Sequence, residues 1–224
     1  DMDFLCGYSG INSGIICKRI SYEGIQSIIE NRVNTENRDG EMPLFTASWY
    51  GQAKKVKWLI EKGAYINTKK SHKFTNRGYE KTANPKLKTA LIVARNVKTV
   101  RELIRAGADI DVQDSDGNTA LMVAECIEIA KELIRAGANM NVQNLDGNTA
   151  LMLYTKANWF EGVEGLISAG ADPDLTNKWF ETALTIAKRN SHGIKLENYL
   201  YENTAWKFIP FILSTLFWPF KSEH

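Results

Sequence analysis

The side chains best suited to catalysis are scarce in this chain and poorly spaced for it. Its histidines are His72, His192 and His224, and its cysteines are Cys6, Cys17 and Cys126. A metal site needs three or four His, Cys or carboxylate ligands at short, recognisable spacings, and none of these six residues has such company. A cysteine nucleophile needs a base to activate it, and nothing in the sequence points to one. Cys126 reads as a small buried apolar residue at the end of a short first helix, and His192 as a polar turn residue. The glycines build no phosphate-cradling loop; they recur at intervals, as punctuation. We therefore expect no catalytic residue, no metal ligand and no cofactor.

The chemistry that is present is that of recognition. Between Thr68 and Lys88 stand seven bases (Lys69, Lys70, Lys73, Arg77, Lys81, Lys86 and Lys88) against the single acid Glu80, with Phe74 and Tyr79 among them. Bases interleaved with aromatics can hold phosphates and stack on nucleobases. The same charge would steer an acidic protein. The plain alternatives are a solvated loop, or one docked on the neighbouring acidic stretch of Asp109, Asp111, Asp114 and Asp116. Trp179-Phe180 lies at a turn, as an interaction hot spot or as part of a cap folded over the chain's last unit. Trp49 and Tyr50 end a short helix, and Trp159 occupies a nearby turn position, where they are candidates for partner contact. Trp58 belongs instead with Leu59 in an apolar stripe.

These residues are positioned by a repeat. Lys88–Asp114, Asn118–Asn144 and Asn148–Asn177 align with one another, and Thr89, Thr119, Thr149 and Thr182 are spaced 30, 30 and 33 residues apart. A divergent copy runs from Met42 to Ala64, a weaker one precedes it, and the last begins at Thr182. Within a unit, Thr119 is suited to N-cap a brief helix over Ala120, Leu121, Val123 and Ala124. Ile129, Ala130, Leu133 and Ile134 then form the apolar stripe of a second helix. Gly63, Gly107, Gly137 and Gly170 end the second helices, and Asp116-Gly117 and Asp146-Gly147 mark tight turns into the next unit. One such pair of short helices cannot bury its apolar face alone, so neighbours must stack.

The Thr-Ala-Leu openings, the Glu-Leu-Ile and Ala-Gly-Ala-Asp/Asn segments and the Asp-Gly turns together resemble the ankyrin repeat family. The resemblance implies an all-α solenoid of about six stacked helix-turn-helix repeats with finger loops and an apolar C-terminal segment. We expect a repeat domain over 1–203, with a weak N-terminal capping repeat at 10–38 and repeats at 39–86, 87–116, 117–146 and 147–179. A C-terminal repeat at 180–203 and a cap or tail at 204–224 complete it. The resemblance also implies capture of another protein in a concave groove and by the fingers. Its Thr-Ala-Leu-Met style of opening is similar to that of bacterial members, which suggests an effector, or an inhibitor or immunity protein.

Three departures carry further expectations. The family's Thr-Pro-Leu-His opening survives only in part, with Phe45, Ile92, Met122, Met152 or Thr185 at the histidine position, so its histidine-based bonding between repeats is absent. The Thr89 and Thr119 copies reach their glycine in 18 residues where the Met42 and Thr149 copies take 21. Three residues are missing, so first helices should be shortened there and the concave face irregular. Gly63 to Thr89 spans 26 residues against 12 in later copies, which lengthens one finger by the basic stretch.

The 224 residues are 44% hydrophobic and 24% charged, with a net charge of +2, which excludes a wholly disordered chain. That balance hides an asymmetry, since 68–88 carries +6 and the remainder −4. The tail Trp206–Phe220 is rich in aromatics, but Pro210 and Pro219 interrupt it and it is shorter than a membrane span. It reads as a cap on the exposed end of the repeats, with an interfacial anchor or a partner-docking segment as alternatives. Protein is the expected partner, one with an acidic patch. Nucleic acid or an anionic membrane, met through the basic stretch and the tail, is the rival. The start at Asp1 suggests a trimmed chain, which leaves cytoplasmic and secreted or periplasmic locations both open.

Overall fold

Leu59, Leu103, Leu133 and Leu166 hold the same place in successive copies, and each is at most 1% exposed. Burying a leucine contributes about 1.5–3 kcal/mol, so this position alone is a principal source of stability in each of these four copies. The protein is seen here as a computed structural model, which describes residues 32–36, 42–71, 74–75, 78–79, 87–190 and 194–204. It divides into two compact units, Asp1–Ser115 and Asp116–His224.

In the first unit, α1 (Pro43–Trp49) packs on α2 (Ala53–Glu61), and α2 packs on α3 (Val97–Arg105). Pro43 opens α1, where its missing N–H costs nothing. The Asn96 side chain caps α3 by accepting from Lys98 N at 2.8 Å. Between α2 and α3 the sequence insertion folds as short antiparallel pairs. β1 (Lys70–Ser71) pairs with β4 (Leu87–Lys88), and β2 (Phe74–Thr75) with β3 (Gly78–Tyr79). The described part of the expected long finger is thus a β-arm, and these are the strands found among the described residues. Its base is tied to the following finger: Ser115 N donates to Leu87 O at 3.1 Å, and Leu87 N donates to Ser115 Oγ at 3.2 Å.

In the second unit, α4 (Ile127–Arg135) packs on α6 (Phe160–Ser168), α5 (Ala150–Lys156) packs on both α6 and α7 (Ala183–Asn190), and α7 packs on α8 (Ile194–Asn203). Ile129, Ala130 and Leu133 are the buried face of α4. Three of the four residues of the expected stripe are therefore the ones the fold buries, while Ile134 is half-buried.

The recurring Ala-Gly-Ala has one physical cause. At the end of α4, Ala136 closes the helix, Gly137 takes the left-handed backbone (φ 90°), and Ala138 N returns to Leu133 O at 3.0 Å. The same bond joins Ala64 to Leu59, Ala108 to Leu103 and Ala171 to Leu166. This closes otherwise open carbonyls at each helix end. An added Cβ at Gly137 would meet nothing within 4 Å, so the glycine is required by its backbone angle and not by space.

The missing three residues act where expected, and further than expected. Residues 90–93 and 120–123 form a single turn each, with no helix. The brief helix expected over Ala120–Ala124 is thus reduced to one turn, closed by Ala124 N to Leu121 O at 3.4 Å. By contrast α5, in the full-length copy, runs for seven residues and is N-capped by Thr149, which accepts from Met152 N.

Asparagine side chains bond neighbouring copies to one another. Asn34 donates to Gly63 O and accepts from Tyr65 N, both at 2.8 Å. Asn67 accepts from Asp109 N at 2.9 Å, and Asn141 accepts from Asp172 N at 2.9 Å. The Asn34 bonds also tie the weak first copy, at residues 32–36, to its neighbour.

Candidate functional site

Fingers carry most of the candidate residues, and three of them are each built on one buried or half-buried amide or carboxyl side chain. Asn144 Oδ1 accepts from the backbone N–H of Asp146 and Asn148 at 3.0 and 2.9 Å, while its Nδ2 donates to Asn118. Asn177 repeats this with Trp179 and Glu181, at 2.9 and 3.0 Å, and donates to Asn148. Asp114 holds the same place and is 8% exposed. It belongs to the framework of its finger, whereas Asp109 and Asp111 are exposed.

Successive fingers of the second unit are stitched by their backbones. Leu145 N donates to Asp116 O and Lys178 N to Asp146 O, both at 3.0 Å. Close approach explains the glycine of each Asp-Gly turn. A Cβ on Gly117 would sit 2.6 Å from Leu145 N, and one on Gly147 would sit 2.8 Å from Lys178 N. Both glycines also have φ 79°. In the third finger this position is Phe180, which keeps the left-handed backbone at φ 60°. That conformation is a genuine outlier for a bulky residue. Phe180 is 86% exposed and Trp179 61%, so neither folds back over the last copy as a cap. Glu181 closes the finger, pairing with Arg189 and accepting from Asn177 Nδ2.

At the end of α1, Tyr50 is 58% exposed. Trp49 is half-buried, and the Arg95 guanidinium lies 3.5 Å from its ring centroid. In the β-arm, Lys69 is exposed, Lys70 is the register partner of Lys88, and Phe74 is the register partner of Tyr79. Lys73 and Arg77 lie outside the described residues, as do His72, His192, His224 and the tail 205–224.

Trp159 has a different place. It is the N-cap residue of α6 and packs against Tyr154, the rings tilted by 47° with centroids 4.5 Å apart. Gly162 makes room for both rings: a Cβ there would fall 2.7 Å from each. Trp159 is a half-buried packing residue. Cys126 also differs from expectation. It is the half-buried N-cap residue of α4 rather than a buried one. The Glu128 carboxyl is held below its ordinary range by its own backbone N–H and by the Cys126 thiol.

Sequence reasoning missed exposed apolar positions at Tyr65 and Leu145. Both were legible as departures from the repeat. Tyr65 stands where later copies have Asp109, Asn139 and Asp172, and Leu145 stands where another has Ser115.

Among the described residues no group of His, Cys, Asp or Glu could hold a metal ion, and no helix is long and apolar enough to cross a membrane. Short helix pairs closed by left-handed glycines and joined through bonded fingers define a helical repeat protein. A family profile described as Ankyrin repeats (3 copies) matches residues 73–144 and 125–205. The chain belongs to the ankyrin repeat family, whose repeats are generally protein–protein interaction modules. A search of curated proteins finds no match.

Proposed function

We propose that this protein captures a partner protein through its fingers and first-helix ends, with Trp179, Phe180, Trp49 and Tyr50 supplying most of the affinity. The observation that carries this reading is Phe180. A bulky side chain held in left-handed backbone costs roughly 1–2 kcal/mol, and its side chain gains almost no burial in return. Strain retained at an exposed position is a recurrent mark of functional sites, and exposed Trp and Phe are strong interface anchors. The basic arm of residues 68–88 would steer an acidic patch of the partner during encounter.

The finer role we propose is that of an effector, or of an inhibitor or immunity protein. Its support is the likeness of the Thr119–Met122 and Thr149–Met152 openings to bacterial members. The test is co-purification from the native source, followed by affinity measurement on the purified pair. Trp179→Ala with Phe180→Ala, and Trp49→Ala with Tyr50→Ala, should each weaken binding at least about tenfold, the scale of one hot-spot side chain. Full affinity in both double variants would reject these surfaces.

A further inference from the structure

Resting on the protein-capture reading, the geometry points to a particular occupant for the third finger. We propose that Trp179 and Phe180 form a plug for an apolar pocket of the partner, and that the pocket is rimmed by Lys or Arg.

The first part of the argument is steric. The backbone ladder of the second unit runs from Asp116 O to Leu145 N, and from Asp146 O to Lys178 N. Trp179 occupies the next acceptor position in this series. Each earlier step needs a glycine beside it, because the incoming backbone nitrogen comes within 2.6–2.8 Å of where a Cβ would stand. Phe180 has that Cβ. A further finger, whether from another repeat protein or from a second copy of this chain, would collide with it. The ladder is closed to backbone pairing, and what remains available is the side-chain pair itself. Both rings project from a finger whose own backbone is fixed by Asn177 and by the bond to Asp146. A rigid convex aromatic pair fits a concave apolar site, where little ordering entropy has to be overcome.

The second part is charge. Residues 116–204 carry 12 acidic and 7 basic side chains. Asp146, Asp172 and Asp174 are exposed on this finger and the one before it, with Lys178 as the opposing charge. Complementarity therefore favours a positive rim. It disfavours an anionic bilayer, the other surface on which Trp and Phe commonly rest. The pocket is distinct from the acidic patch that the basic arm of the first unit would meet.

The experiment replaces Phe180, and in a parallel sample Tyr50, with the photo-reactive p-benzoylphenylalanine in the full chain. Both are irradiated in extract from the source, and the cross-linked residues are mapped by mass spectrometry. The expected result at position 180 is a protein cross-link to apolar residues with Lys or Arg beside them. Trp179→Ala should then weaken the purified pair at least tenfold, with affinity falling as salt rises. Cross-links at position 180 to lipid, to another copy of this chain or to an acidic surface would overturn the proposal. A protein cross-link from position 50 but none from 180 would overturn the plug and leave protein capture standing. Silence at both positions would count against both. Binding to vesicles of phosphatidylcholine and phosphatidylserine (seven to three), lost on Trp179→Ala, would replace the pocket with a membrane.

Discussion

The Tyr154 hydroxyl donates a 2.5 Å hydrogen bond to the backbone carbonyl of Leu121, 33 residues earlier. The bond answers the shortened copy. Where a first helix continues, the carbonyl at this place is used by the next turn; at Leu121 the turn ends with a single long bond from Ala124. The longer neighbouring copy reaches across with a tyrosine. Tyr154 is 3% exposed, so the hydroxyl and the carbonyl would both lose if the pair were broken.

Tyr154→Phe leaves that buried carbonyl short of a donor, at a cost of about 1–3 kcal/mol. Burial also pushes the Tyr154 phenol up from its ordinary value, with the nearby Cys126 thiol adding to the shift. A raised folded-state value makes its contribution complete below the unfolded value, about pH 10, and progressively lost as pH rises beyond it. Urea titrations from pH 8 to 11 should therefore show the wild type losing stability above about pH 10. Tyr154→Phe should start lower and lose less over the same range. Parallel curves for the two proteins would refute the assignment.

The elements legible in the sequence are those whose causes are local. The stripe of Ile129, Ala130 and Leu133 and the glycine after it lie within ten residues, so period and cap chemistry are enough to place α4. The three-residue deficit was also countable, and it located the shortened copies. The asparagine bonds were not legible, because Asn67 and Asp109 are 42 residues apart and an asparagine in a finger has many local uses. Trp159 looked like a surface aromatic because its burial depends on Tyr154 behind it and on the missing side chain of Gly162. The strand pairing of the basic insertion was hidden by a lysine-rich stretch with no apolar alternation to mark it. Phe180 is the informative middle case. Its alignment with Gly117 and Gly147 was visible, but that it keeps the glycine's backbone angle was not.

Asn34→Ala tests whether the weak first copy is truly part of the repeat array. It removes the acceptor of Tyr65 N and the donor to Gly63 O, two bonds worth about 1 kcal/mol each. Amide exchange at Tyr65 should accelerate about tenfold or more, since 1.4 kcal/mol is a factor of ten. Asn141→Ala loses one such bond, so exchange at Asp172 should accelerate less, about fivefold. Unchanged exchange at Tyr65 would mean that residues 32–36 add nothing to the unit.

Charge reversal in the arm tests steering. Lys69→Glu with Lys70→Glu changes the basic stretch by four charges and leaves the aromatic surfaces untouched. With an acidic protein partner, the association rate should fall and its salt dependence flatten, while the dissociation rate stays within about twofold. Had the arm evolved for nucleic acid, single-stranded oligonucleotides would bind the wild type with a steep salt dependence, and the double variant would lose that binding. A dissociation rate raised tenfold by the reversal would instead place the arm inside the stable interface.

Phe180 and Gly147 occupy the same place in consecutive fingers and should respond oppositely to exchange. Gly147→Ala puts a Cβ on a residue with φ 79° and within 2.8 Å of Lys178 N. Left-handed strain alone costs roughly 1–2 kcal/mol, and the collision adds to it, so a loss of about 2 kcal/mol or more is expected. Phe180→Gly relieves the same strain with no neighbour to disturb. It gives back part of the gain, because glycine loses more backbone freedom on folding, by about 0.5–1 kcal/mol. The net expectation is unchanged or slightly raised stability, by up to about 1 kcal/mol, together with weaker partner binding. Thermal unfolding of the two variants beside the wild type measures this directly. A Phe180→Gly protein that melts well below the wild type would mean that the ring is packed, and its exposure could no longer support a binding role.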